Sequence, residues 1–183
     1  VEELSYLGEK VNKVVVGEVK ALTPHPDSDH MQICVVDCGE EYGRDLQIVT
    51  GASNVYVGMK TPCALDGSTV VESDPKALEK NPDAVKKIKK GKLRGVVSNG
   101  MLCGLYELGL DERDFPTAYA DGIWILSDDP ELTGLEVGMD IRTAVGLDDH
   151  VVEFEITPNR PDCLSVIGLA REASATFDAP LAL

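Results

Sequence analysis

Apolar residues fall in short runs separated by dense turn signals, a pattern of many brief strands. Residues 11–20 (VNKVVVGEVK) are β-branched and apolar on both faces at their centre, which predicts a buried strand. Residues 23–29 carry two prolines and two aspartates and predict a loop. Strands follow at 31–36 and 44–50, joined by a hairpin loop over 37–43 (DCGEEYG). After a turn at 51–54, residues 60–65 give a fourth strand, which Pro62 marks as an edge. Asp66-Gly67 is a strong hairpin signal, with 68–71 pairing back.

The next stretch interrupts the strands. Asn81-Pro82-Asp83 predicts either the start of a short helix running to Lys90, with Val85 and Ile88 on one face, or an ordered loop. Short strands at 94–97 and 101–103 flank Ser98-Asn99-Gly100, and 122–126 (GIWIL) predicts a further buried strand. The pattern changes after about Thr143. Val152, Phe154 and Ile156 alternate with Glu153 and Glu155, as in a strand with one wet face over 151–157. A TPNRPD loop then leads to a helix over 164–177, for which Asp162 reads as the cap. Leu164, Ile167, Ala170 and Ala173 form its inner stripe, and Asp178 and Pro180 end it. Five or more short strands predict a mainly β chain, a small barrel or sandwich, and the closing strand–loop–helix predicts part of a second module.

Composition narrows the setting. The chain has 183 residues, 43% of them hydrophobic, which suffices for one or two cores. No apolar run is long enough to cross a bilayer, so no membrane partner is expected. The opening VEELSYLGEK has no signal-peptide stretch and no initiator Met, so a processed or excised piece of a longer chain is expected. The five cysteines are odd in number and contain no C-x-x-C, which argues against a disulfide framework or a zinc site. They read as small core hydrophobes, Cys34 and Cys38 on one strand face included, in a reduced, cytoplasmic setting.

Charge is unevenly spread. The net is −15, which alone disfavours a nucleic-acid partner. Between Lys76 and Arg94, however, eight basic and two acidic residues give +6, leaving −21 for the remainder. One basic segment on an acidic body predicts a local polyanion contact.

Four stretches carry a resemblance: VVVGEVKALTPHPDSDHMQICVVDCG, LQIVTGASNVYVGMKTPCAL, KIKKGKLRGVVSNGMLCGLYELGL and EFEITPNRPDCLSVIGLARE. The first three resemble the tRNA-binding domain of the phenylalanine–tRNA ligase beta chain, of bacterial methionine–tRNA ligase and of free-standing tRNA-binding proteins. The fourth, with TPNRPDCLS, is similar to the phenylalanine–tRNA ligase beta chain specifically. The resemblance implies an OB-fold Greek-key barrel over 11–143. It also implies a lead-in over 1–10 and, over 144–183, the later half of an α+β host domain. It implies tRNA, in particular tRNA-Phe, as partner, and a ligase alpha subunit in an alpha2-beta2 assembly, with no DNA. ATP and Mg2+ are implied for the intact enzyme, and no cofactor and no aminoacylation for this stretch. Two departures stand out: DSDHM puts His30 where the family usually has Lys or Arg, and 72–81 is longer than in many relatives.

An OB barrel binds looped or single-stranded RNA with a sheet face and its loops. Lys86, Lys87, Lys89, Lys90, Lys92 and Arg94 are the candidate phosphate contacts. His30, when protonated, and the turn residues Asn54, Ser98 and Asn99 are candidates for phosphate or ribose. Met101 is a candidate for packing on a base. Tyr42, Tyr56, Tyr106 and Trp124 are the candidate rings, Trp124 reading as core, so recognition is expected to rest on shape and backbone. His25 and His30 with Asp27 and Asp29 match no common metal-ligand spacing and read as structural. Arg160, Asp162 and Cys163 lack a nearby histidine and read as a structural loop, with no catalytic residue. Two other readings stay open: an assembly module with little RNA affinity, and, more remotely, an enzyme in its own right.

Overall fold

A computed structural model describes residues 1–118 and 122–181, which form two compact units. One is Tyr6–Asp149, and the other joins Val1–Ser5 to His150–Leu183. Among the described residues the strands are β1 (Glu3–Tyr6), β2 (Asn12–Pro24), β3 (Gln32–Asp37), β4 (Leu46–Thr50), β5 (Lys60–Val71), β6 (Val85–Lys87), β7 (Gly91–Leu93), β8 (Val96–Ser98), β9 (Gly100–Leu102) and β10 (His150–Glu153).

In the Tyr6–Asp149 unit the antiparallel order is β4-β3-β2-β5-β6, with β9 also on β5. β2 bends through two register shifts, so its first half pairs with β5 and its second with β3. Side-chain and turn bonds bring the last edges together. Asn99 donates its backbone N–H (2.8 Å) and side-chain amide (3.1 Å) to the Gln47 carbonyl. The Gln47 amide donates to the Val97 carbonyl at 2.6 Å, and the Val49 N–H to Ser98 Oγ at 3.1 Å. The result is a nearly closed, OB-like barrel.

β2 is apolar on both faces because both are covered. Val15 and Val19 point inward with Cys34, Val36, Ile48, Cys63 and Leu102. Val14 and Val16 join an outer layer with Trp124, Leu105, Leu108 and Ile141. Burying each such side chain contributes about 1.5–3 kcal/mol. Gly17 lies close against the inner layer, since a Cβ there would meet Val36 at 2.8 Å and Cys38 Sγ at 3.2 Å. All five cysteines are free and buried. Burial pushes the Cys34 thiol up to about 11.

Several local expectations change. Asp66-Gly67 does not reverse the chain: β5 runs through it, from Val14↔Ala64 to Asn12↔Thr69. Gly67, at φ +84°, bends the strand round a barrel corner. Nor is β5 an edge. The Cys103 N–H donates to the Pro62 carbonyl at 2.9 Å, and the Cys103 carbonyl, which proline cannot reach with an N–H, accepts from Trp124 N–H at 3.1 Å. Ile123, Trp124 and Leu126 are buried, but 122–126 makes no strand, and Leu126–Asp128 is a 3-10 turn. The 37–43 loop contains a short helix, α1 (Gly39–Tyr42). In the basic segment the helical turn comes early, as α2 (Pro75–Leu78) capped by Asp74, and 85–87 is strand because the second half of β5 needs a partner. A further turn, α3 (Ile141–Ala144), packs in the outer layer.

In the other unit β1 pairs with β10, and the Glu2 N–H donates to the Glu153 carbonyl at 2.7 Å. The helix α4 (Val166–Phe177) is capped by Ser165, whose Oγ accepts from Gly168 N–H at 3.1 Å. Asp162 is therefore not the cap: Pro161–Leu164 is a separate 3-10 turn, and the Asp162 carboxylate faces Arg160.

Candidate nucleic-acid interface

The basic segment is placed by the corner of β5. β6 pairs antiparallel with β5, Val70 opposite Lys86 and Thr69 opposite Lys87. The next residue, Ile88, is 6% exposed and packs into the outer core. Its N–H donates to Ser68 and its carbonyl accepts from Gly67, both at 2.9 Å. Asp66 Oδ1 then accepts from Lys90 N–H at 2.7 Å and turns the chain into the β7–β8 hairpin. An apolar anchor between two lysine pairs thus fixes the backbone while the ammonium groups stay in water.

The product is an open cleft of about 350 Å³. Lys86, Lys87, Lys89 and Lys92 line it, together with Ser98 and Met101. Val49, Ile88, Leu93 and Gly100 complete an apolar floor. Gly100 is required there, because a Cβ would lie 2.3 Å from the Ala64 carbonyl oxygen. Among the described residues none of these lysines is in an ion pair. A rim of free ammonium groups over an apolar floor suits a sugar–phosphate chain carrying an unpaired base.

The other expected residues lie elsewhere or are otherwise engaged. Lys90 and Arg94 are exposed but do not line the cleft, and Arg94 Nη1 donates to the Asp27 carbonyl at 3.0 Å. His30 lies on a separate hollow formed by the loop after β2. Asn54 brackets Ile123, donating to its carbonyl at 2.7 Å and accepting from its N–H at 3.2 Å. Ser98 Oγ donates to Gly100 at 2.8 Å while accepting from Val49, so its hydroxyl proton is already engaged. The Asn99 amide nitrogen is used at Gln47. Among the described residues no ring lines the cleft: Tyr56 bonds Asp128, Tyr106 bonds Glu112, and Trp124 is fully buried against Phe115. Sequence reading missed the floor. Its signal was Ile88, an apolar residue set between two lysine pairs, which packs into the outer core.

The TPNRPDC loop is built the opposite way. Arg160 Nη2 donates to Asp162 at 2.9 Å and to Glu172 on α4 at 2.7 Å. Arg160 holds the Asp162 carboxyl down at about 2, and burial pushes the Cys163 thiol up, the wrong direction for a nucleophile. Among the described residues no group of three or more His, Cys, Asp or Glu is placed to hold a metal ion, and no helix is long and apolar enough to cross a membrane.

Residues 14–121, which contain this cleft, match the family model described as "Putative tRNA binding domain". The chain belongs to the tRNA-binding domain family. It is 44% identical over 178 residues to the phenylalanine–tRNA ligase beta subunit of Clostridium acetobutylicum, covering 97% of this chain and 20% of that protein. The corresponding subunit of Lactiplantibacillus plantarum is 45% identical over 170 residues, covering 93% and 19%. The chain therefore spans about a fifth of the length of these relatives. A mutant RNA ligase of Naegleria gruberi in its apo form is a looser likeness, with a TM-score of 0.44 at 17% identity over 82% of this chain and 38% of that one. The tRNA-binding domain described here is homologous to a region of phenylalanine–tRNA ligase beta subunits.

Proposed function

We propose that the lysine cleft holds the sugar–phosphate backbone of a looped or single-stranded part of tRNA, with Met101 and Leu93 beneath an unpaired base. The observation that carries this reading is four lysines on one apolar-floored cleft, free of carboxylate partners among the described residues. Lys90 and Arg94 extend the field at its margin, and Asn99, Ser98, His30 and Asn54 act by shaping the surrounding turns. With no ring in the cleft among the described residues, recognition reads backbone and shape more than sequence.

By likeness to its relatives, the domain gives auxiliary tRNA contact and subunit architecture within a phenylalanine–tRNA ligase acting on tRNA-Phe. In that reading residues 11–143 are the barrel and 144–183 belong to a host domain, beside an alpha subunit in an alpha2-beta2 assembly in the cytoplasm. ATP and Mg2+ belong to the whole enzyme. The residues here offer no G-x-x-x-x-G-K-[ST] loop for the nucleotide, and no step through either is assigned to them.

The acidic surroundings favour a second reading, an assembly module with little RNA affinity. A tRNA titration across salt concentrations separates the two. Neutralising four phosphates gives a log–log slope of about −3. Lys86/Lys87/Lys89/Lys92→Glu should weaken binding at low salt by about a hundredfold or more. Equal binding by the variant removes the lysine site, and no binding by either protein favours the assembly module.

A further inference from the structure

We propose that His25 is the positioning residue of this cleft, clasping the β7–β8 hairpin to the loop after β2. The inference rests on the tRNA-backbone reading above. His25 is 4% exposed, and both ring nitrogens are engaged. The Asp27 N–H donates to Nδ1 at 3.0 Å. A backbone N–H can only donate, so Nδ1 is the bare nitrogen and the proton sits on Nε2, which donates to the Leu93 carbonyl at 3.1 Å. The ring thus spans from the loop to the end of β7 with no unsatisfied polar atom.

The hairpin needs such a tether. Among the described residues its ladder is a separate two-stranded sheet, and a lone hairpin is marginally stable in water. β8 is strapped to β4 through the Gln47–Val97 bond. β7, which carries the cleft residues Lys92 and Leu93, is held at its far end by His25. A second strap crosses the same gap. Arg94 takes φ +44° in a two-residue turn with Gly95 at +86°, and its guanidinium donates to the Asp27 carbonyl at 3.0 Å. Arginine rarely adopts that backbone region. Asp27 is therefore gripped twice, its N–H by His25 and its carbonyl by Arg94. A wall fixed before RNA arrives spares the binding step the cost of ordering it.

Two substitutions split the ring's two bonds. In His25→Asn the side-chain oxygen still accepts from the Asp27 N–H, a two-residue Asx bond, but falls short of Leu93. In His25→Gln the longer amide reaches toward Leu93. Hydrogen exchange of the 183-residue chain without RNA should show the 91–98 amides opening about three- to tenfold faster in His25→Asn, the factor expected for one lost hydrogen bond. The β2 and β3 amides should stay as in the wild type, and tRNA affinity should fall by a similar factor. His25→Gln should restore a large part of both. Wild-type exchange at 91–98 in His25→Asn overturns the clasp. Faster exchange with unchanged affinity overturns the positioning role. Absence of tRNA binding by the wild type overturns the backbone reading and that role with it, while the RNA-free exchange still decides whether His25 holds the hairpin.

Discussion

Arg160 in the TPNRPDC loop and the lysines of residues 86–92 both put positive charge on the surface, but carboxylates meet only the first among the described residues. Arg160 bonds Asp162 and Glu172 and ties its loop to α4. The lysines stand around a cleft with their backbone pinned by Ile88 and Asp66. The difference shows that positive charge in a sequence does not state its use. A planar guanidinium with one carboxylate two residues away and another twelve residues on, on α4, closes on itself. Ammonium groups with no such neighbours remain open to an outside anion.

The comparison breaks hardest at the anchor. If Ile88 is what holds the lysine strip to the core, Ile88→Ala should lower the stability of the Tyr6–Asp149 unit by about 2–4 kcal/mol, read by denaturant unfolding. Val85, half exposed at the start of β6, should cost less than about 1 kcal/mol when cut to alanine. Similar losses at both positions would show that the strip is not anchored through one side chain.

A smaller effect sharpens the contrast in charge. Lys92→Ala should make the log–log salt slope of tRNA binding shallower by about 0.7, the share of one phosphate contact on a single strand. Arg160→Gln should leave that slope and the affinity within about twofold, since its charge is already matched. Labelled-tRNA anisotropy over a salt series measures both, and an equal change of slope in the two variants would erase the distinction.

Much of this was legible in residue pattern. β2, β3 and β4 follow from β-branched runs between turn signals, and α4 from the helical stretch ended by Asp178, although Leu164, Ile167 and Ala173 of the expected inner stripe are exposed. What failed was wherever tertiary pairing overrode a local signal. Asp66-Gly67 has hairpin chemistry, yet a closing barrel needs a corner there more than a reversal. Pro62 signals an edge, but the carbonyl opposite it is served by Trp124, so the strand stays central. Residues 81–90 read as helix or loop until β5 claims 85–87 as its partner. The lysines were visible as charge, but which of them share a cleft depends on the register of β6. Asn54 and His25 were visible as polar residues in turns, and their roles as brackets depend on Ile123 and Leu93, 69 and 68 residues away.

The weakest effect expected is acid loosening of the Arg160 loop. Its hydrogen bonds to Arg160 hold the Asp162 carboxyl down at about 2, against about 3.9 for an unstructured aspartate. A depressed native value means that the folded loop favours the ionised form. The stabilising contribution is fully present above about pH 4 and is lost as pH falls through about 2. Glu172 is held low by the same guanidinium and shifts the balance in the same direction. Exchange protection of the Cys163 amide, which donates to the Arg160 carbonyl at 3.1 Å, reports the loop directly. Protection should fall between pH 4 and 2 in the wild type, while Asp162→Asn should show the loosened loop at every pH with no step in that window. A step that persists in Asp162→Asn would place the titrating group elsewhere, and would leave Arg160 without the role that sets it apart from the lysines.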